Sequence, residues 1–396
     1  MTLTYFKHRI INLTVLAVAA LLTSSASARQ IENWKLYEQL GQNFAAYHNA
    51  RDVESMDGLI DIKAFSKKVA ATVFDDERDR RDYAAGLQKG FKDTSFSKQL
   101  FVESIPAEFN TVYLGLKDSR YPILRVDHAN GGSEYIKLFA RLDGRGRLRI
   151  NDFYTGSSGR LTSVSMGAVS QLMLRPSESI IKRLFGKVDV DKALIGQFVE
   201  LGKLRAEGKL LEAYEIVVAL PDTLRHRVEM LHLSISLAGF LDDDLYREEL
   251  ALLAQHHGDD PGLAFLLIDH YFYEQQWDKA IKATTTSRDY WLDDGSFNLI
   301  FSQLFFESGD LQQSVMYARR ALEVEPDYED GYWNVVDKLS RSGDFNGVVN
   351  ALDVLVDNYG YEFTDEYFAS EPLYQTLLES KLFREWASHN IVSSAD

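Results

Sequence analysis

No cysteine occurs among the 396 residues. Disulfides and thiolate metal sites are therefore excluded, as is a lipid anchor, which needs a cysteine at the cleavage site. Long apolar runs are missing too. The stretch from Ile10 to Leu22 is about 13 residues, broken by Asn12 and Thr14, against the roughly 20 that span a bilayer. No later stretch is apolar enough to cross a membrane. Motifs that carry chemistry are also lacking. There is no phosphate loop, no His-Glu-x-x-His zinc helix and no paired glycine fingerprint after a strand. The loop at Gly156 lacks the Gly-x-Ser-x-Gly spacing of a nucleophile elbow. Ser95-Phe96-Ser97-Lys98 fits Ser-x-x-Lys without its companion motifs. His256 and His257 are helix neighbours and cannot chelate one metal together, and Asp293-Asp294-Gly295 lacks the alternating oxygen ligands of a calcium loop. These absences predict a protein that is not an enzyme and holds no metal or cofactor.

What is present begins with an export pattern. Lys7, His8 and Arg9 precede the apolar stretch, and Ser25-Ala26-Ser27-Ala28 supplies a small-x-small site. Residues 1–28 are expected to be a signal peptide cleaved after Ala28, sending the chain to the periplasm or outside the cell with no stable membrane anchor. Charge is unevenly spread. Residues 29–185 hold 24 Lys and Arg against 20 Asp and Glu, whereas residues 186–396 hold 17 against 39. The acidic half disfavours nucleic acid and anionic membrane, whose affinity comes from phosphate neutralised by Lys and Arg. Its acidity fits solubility, a groove for basic peptides, or docking on the mildly basic half.

Residues 29–185 read as a small α+β domain. Leu36, Leu40, Phe44 and Ala45 recur at helical steps within Trp34 to His48, as do Ile62, Phe65, Val69 and Val73 up to Phe74. Tyr83, Leu87 and Phe91 predict a third helix from about Arg80. After Pro106 the period becomes two. Val112, Leu114 and Leu116 alternate, then Leu124 and Val126, then Ile136, Leu138, Ala140 and Leu142. The turn Asp143-Gly144-Arg145-Gly146 leads to Leu148, Ile150 and Asp152 in phase. An antiparallel β-meander of about four strands is expected, followed by a helix over about Ser165 to Leu174. This element order, over Gln30 to Leu174, resembles the cystatin/NTF2-like group of α+β domains. The resemblance implies a curved sheet that can enclose a small apolar or lipid ligand. In the enzymes of the group an Asp and a His sit inside the cone. Asp127, His128 and Asp152 would be the candidates, and Asp152, in phase with apolar neighbours, is the candidate pocket residue. Asp152 in a wet strand end or a turn cap is the competing reading. Arg125, Lys137, Arg141, Arg147 and Arg149 on the strands, with Arg160 in the next loop, form either a basic face or ordinary solvated alternation.

The second half repeats itself. Ser308-Gly309-Asp310-Leu311 recurs as Ser342-Gly343-Asp344-Phe345, a step of 34. Tyr271, Phe305 and Leu339 keep that step, and so do Trp277, Leu311 and Phe345. Such a period marks helical hairpins that bury their apolar faces on their neighbours. The unit from Gly295 to Tyr328, with Phe305, the Gly309-Asp310 turn, Ser314, Ala321 and Pro326, resembles the tetratricopeptide repeat (TPR) family. Its neighbours depart from the pattern, with Gln275 at one turn glycine and Val348 and Leu355 at small-residue places. About five helical pairs are expected from Ala193 to about Ile391, the last carrying Leu373, Leu377, Leu382, Phe383 and Trp386 as a cap. The expected architecture is thus an α+β domain followed by an all-α, TPR-like solenoid over 186–396.

In that family the first helix of each pair lines a concave groove. By position the groove here would hold Phe265, Asp269, Phe272, Tyr273, Gln303, Phe306, Trp333, Asn334, Asp337 and Arg341. The family's clamp of Lys, Arg and Asn for a terminal carboxylate is not reproduced. Aromatic and acidic residues at these places suit a protein or peptide partner with apolar anchors and basic flanks. The competing reading packs Phe265, Phe272 and Trp333 between hairpins. The expected function is that of an exported adaptor or scaffold of a bacterial envelope, or alternatively a lipid or small-molecule carrier using the N-terminal cone.

Overall fold

The computed structural model describes residues 34–102, 108–129, 132–173 and 192–392. The expected signal peptide lies outside the described residues, as does Leu174 at the end of the expected helix. The chain divides into two compact units, the first made of residues up to Thr155 and from Arg160 to Gly186, the second of Gly156–Gly159 and the residues from Lys187 on.

Among the described residues of the first unit, four α-helices and a short π-helical turn (Lys98–Val102) precede a sheet. The helices are α1 (34–49), α2 (Val53–Leu59), α3 (Ile62–Val73) and α4 (Glu77–Thr94). Aspartates start the last three. Asp52, Asp61 and Asp76 each accept backbone N–H bonds from the first turn that follows, satisfying donors that a helix start leaves unpaired. Helix α4 begins ahead of the expected Arg80 because Asp76 takes the N–H groups of Arg78 and Asp79, so the sign-alternating cluster forms its first turn. The strands β1 (Phe109–Lys117), β2 (Tyr121–His128), β3 (Ser133–Leu142), β4 (Leu148–Thr155) and the short β5 (Arg160–Leu161) make one antiparallel sheet in chain order. Helix α5 (Thr162–Met173) then returns against α3.

The helices cover one sheet face. Phe65, Val69 and Val73, four residues apart on α3, are fully buried against Leu124, Val126, Ile136, Leu138 and Ile150. Phe44, Phe65, Phe91, Phe96, Phe101 and Phe153 fill the space between helices and sheet with ring-to-ring contacts. Such pairs add to their burial energy through edge-to-face geometry. His48 is fully buried beside these rings, donating from Nε2 to the Phe101 carbonyl (2.9 Å) and accepting at Nδ1 from the Thr111 hydroxyl (2.8 Å).

The second unit is a stack of helical hairpins. Its pairs are α6 (Lys192–Ala206) with α7 (Leu210–Val218), α8 (Val228–Ala238) with α9 (Asp243–His257), and α10 (Ala264–Tyr273) with α11 (Trp277–Tyr290). Then come α12 (Gly295–Glu307) with α13 (Leu311–Val324), and α14 (Glu329–Ser342) with α15 (Phe345–Tyr359). Each helix contacts mainly those before and after it. Beyond these five pairs a separate closing segment, ending in α16 (Lys381–Asn390), brings Phe363, Phe368, Tyr374, Phe383 and Trp386 onto the last pair.

The 34-residue step is written into burial. Leu267, Phe301 and Val335 occupy equivalent core places, as do Ala280, Ser314 and Val348, and all six are buried. The turns repeat as well. The N–H groups of Gln276, Asp310 and Asp344 each reach back to the carbonyls of Tyr271, Phe305 and Leu339, at 2.8, 2.8 and 3.1 Å. The residue before each donor is left-handed: Gln275 (φ 54°), Gly309 (φ 88°) and Gly343 (φ 79°).

Candidate functional site

The expected groove residues lie on α10, α12 and α14, the first helices of three successive hairpins. These helices run side by side. Phe265 of α10 meets Phe297 of α12 edge-on at 6.2 Å, Ser302 of α12 donates to Asn334 of α14 at 2.8 Å, and Lys338 of α14 reaches Gln303 of α12 at 3.0 Å.

The ten residues separate by what they touch. Phe265 packs against the next hairpin, and Phe272 lies on Trp277 of its own hairpin (5.7 Å). Trp333 is half-buried among Tyr361, Phe363 and Tyr367 of the closing segment, with centroids 5.1, 5.8 and 6.1 Å away. Asn334 is held by Ser302. These four therefore hold hairpins together.

The other six form two stations. Around α12 and α14, Phe306 lies under two cations, the Lys338 ammonium at 4.1 Å and the Arg341 guanidinium at 4.6 Å. Lys338 is buried and gives its protons to Gln303 (3.0 Å) and Asp337 (2.7 Å), while Arg341 donates to the other Asp337 oxygen at 3.0 Å. Around α10, Asp269 meets the Tyr246 hydroxyl of α9 at 3.4 Å, and Tyr273 is stacked under Arg247 of α9 at 4.3 Å. Burial among protein atoms pushes the Asp269 carboxyl up from its ordinary value, opposed by the Tyr246 bond, although the residue remains open to solvent. Burial, and then the Asp269 charge, push the Tyr246 hydroxyl up.

In the first unit the alternation that placed Asp152 in phase with Ile150 is broken by a β-bulge. Pairing runs Ala140 to Ile150 and then Phe139 to Asp152, so β4 carries one extra residue. Phe153, opposite Leu138, takes the next core place instead. The Asp152 carboxylate accepts from the Ser163 N–H (3.1 Å) and hydroxyl (2.8 Å) at the start of α5 and from the Lys68 ammonium (3.1 Å). It ties α3, β4 and α5 together and is fully buried. Asp127 accepts from Arg125 and from Ser133 (2.6 Å), apart from Asp152. The strand cations are individually engaged: Arg125 with Asp127, Arg141 with Asp61, Arg147 with Asp143, and Arg149 with the Ile60 carbonyl. Lys137 is buried, and desolvation, reinforced by Lys117, brings its ammonium down to about 8.

Two features escaped the sequence reading. Lys338 holds the place that Leu304 fills one repeat earlier, and a charge at a buried repeat position was the available signal. Glu249 of α9 gathers the Arg225 guanidinium and the hydroxyls of Tyr214 (2.8 Å) and Ser234 (2.5 Å) in a buried network. It lies in the divergent hairpins, where no repeat partner marks it. No protein-family model and no curated protein matches this chain.

Proposed function

We propose that the chain is an exported adaptor or scaffold of a bacterial envelope, built on TPR-like repeats, which binds a protein segment along α10, α12 and α14. The row of equivalent side chains carries the reading. Asp269, Gln303 and Asp337, each 34 residues apart, stand on neighbouring first helices with Tyr273, Phe306 and Arg341 beside them. Charged and aromatic groups in line, at a spacing set by the helix stack, suit an extended segment better than a compact small molecule. Export is supported by the positive start, the apolar stretch and the small residues up to Ala28. The test is capture from an envelope fraction with the mature full chain as bait. Tyr273→Ala and Arg341→Glu, both at exposed positions, should lose a protein that the unaltered chain retains. Identical capture by all three baits would sink the reading.

A second reading makes the N-terminal, NTF2-like unit a binder of a lipid or small apolar molecule. The space between helices and sheet is filled by phenylalanines, but an open groove of about 780 Å³ runs along α4, lined by Phe74, Tyr83, Leu87 and Phe91 over Gly86 and Gly90. Native mass spectrometry of the purified chain should then show a bound lipid that is lost on Gly86→Leu.

A further inference from the structure

Asp269, Gln303 and Asp337 are the same position of the repeat, and their surroundings differ in one respect. Asp337 is neutralised by Lys338 and Arg341. Gln303 carries no charge; it accepts from Lys338 and donates to Glu307 at 2.7 Å. Asp269 meets the Tyr246 hydroxyl at 3.4 Å, and no described cation lies within ion-pair distance of it. The residue corresponding to Lys338 here is His270, buried and held toward its neutral form by desolvation. Arg247 lies over the Tyr273 ring and pairs with Asp244 at 3.8 Å. The Asp269 carboxylate is thus a solvent-open charge beside a tyrosine hydroxyl, with no described cation paired to it.

We propose that Asp269, with Tyr246 and Tyr273 as its walls, is a station for one cationic side chain of a partner segment, an alkylammonium or a guanidinium. The inference rests on the adaptor reading and names the chemistry of one of its contacts. The incoming cation does for Asp269 what Lys338 and Arg341 do for Asp337. The carboxylate supplies a charge-assisted bond, the Tyr246 hydroxyl orients it, and the tyrosine rings offer negative faces to the bound charge. A terminal carboxylate of a partner is disfavoured at the same place by like charge.

The test uses the mature chain labelled with 3-fluorotyrosine, with the Tyr246 and Tyr273 signals assigned through Tyr246→Phe and Tyr273→Phe. Three probes are titrated: N-acetyl-lysine amide, N-acetyl-arginine amide and neutral N-acetyl-norleucine amide. Saturable shifts of both signals with one or both cationic probes, absent with norleucine, are expected. Asp269→Asn should weaken them roughly tenfold, the worth of one charge-assisted hydrogen bond. Shifts that ignore probe charge, or survive Asp269→Asn, overturn the proposal. So does binding that appears only in Arg247→Gln, because Arg247 then fills the station itself. If the envelope partner is lost with Tyr273→Ala but retained by Asp269→Asn, the adaptor reading stands and the cation station falls. If no partner is captured while the cationic probes still bind through Asp269, the reverse holds.

Discussion

Glu249 gathers the Tyr214 hydroxyl, the Arg225 guanidinium and the Ser234 hydroxyl where all four side chains are buried. Such an ion pair adds little net stability compared with well-packed apolar groups, but half of it is worse than none. Glu249→Ala should destabilise the helical unit by about 3–5 kcal/mol, because Arg225 keeps its charge without its partner. The joint change Arg225→Met with Glu249→Leu should restore most of that loss. Urea midpoints of the three chains check both outcomes, and equal midpoints for wild type and Glu249→Ala would refute the account. His48 shows the same logic through a proton. Desolvation lowers its pKa, opposed by the Phe101 carbonyl, so the folded chain holds a neutral ring while the unfolded chain titrates at its ordinary value near 6.5. The stabilisation is complete above the unfolded value and is lost as pH falls through the folded one, since only the unfolded chain gains the proton in between. Hydrogen-exchange protection of α1 and α3 should fall as pH drops below about 6.5, by at most about 1.4 kcal/mol per pH unit for one proton. In His48→Gln that slope should flatten, and an unchanged slope would assign the acid response to other groups.

At the scale of the element, the hairpin turns show what a repeat demands of the backbone. Gln275, Gly309 and Gly343 sit at equivalent turns, all left-handed, with the same backward hydrogen bond beside them. A residue with a Cβ costs about 1–2 kcal/mol there, so Gln275 is the strained member. Gln275→Gly should therefore raise the unfolding free energy of the helical unit, read from its urea transition, by about 1 kcal/mol after the added freedom of the unfolded chain is deducted. Gly343→Ala should lower it by a similar amount. A fall on Gln275→Gly would mean that the glutamine side chain contributes more than its backbone costs. The missing turn glycine was visible in the sequence as a departure from the period. The conformation forced on its replacement was not, because φ is dictated by the two helices that the turn must join.

Across the whole molecule the 22-charge excess of acid in residues 186–396 should make partner capture salt-dependent. Raising salt from about 0.05 to about 0.3 M should weaken retention by the unaltered bait, and Asp269→Asn should reduce that sensitivity, because one attractive charge has gone. Retention insensitive to salt would leave aromatic contacts such as Tyr273 as the source of binding. The sequence by itself determined the order of elements, helices then a meander then hairpins at a 34-residue step, because periodicity is a local property of the chain. It also determined which positions of the repeat are equivalent. Only the tertiary structure decided what those positions do. A single extra residue in β4 turned Asp152 from a core-phase position into a tie between α3, β4 and α5. Trp333 joined the closing segment because residues 361–367 happen to reach it. Asp337 found Lys338 and Arg341 where Asp269 found Tyr246. Each outcome depends on which side chains from distant parts of the chain meet at one point, and a period records spacing along the chain, not those meetings.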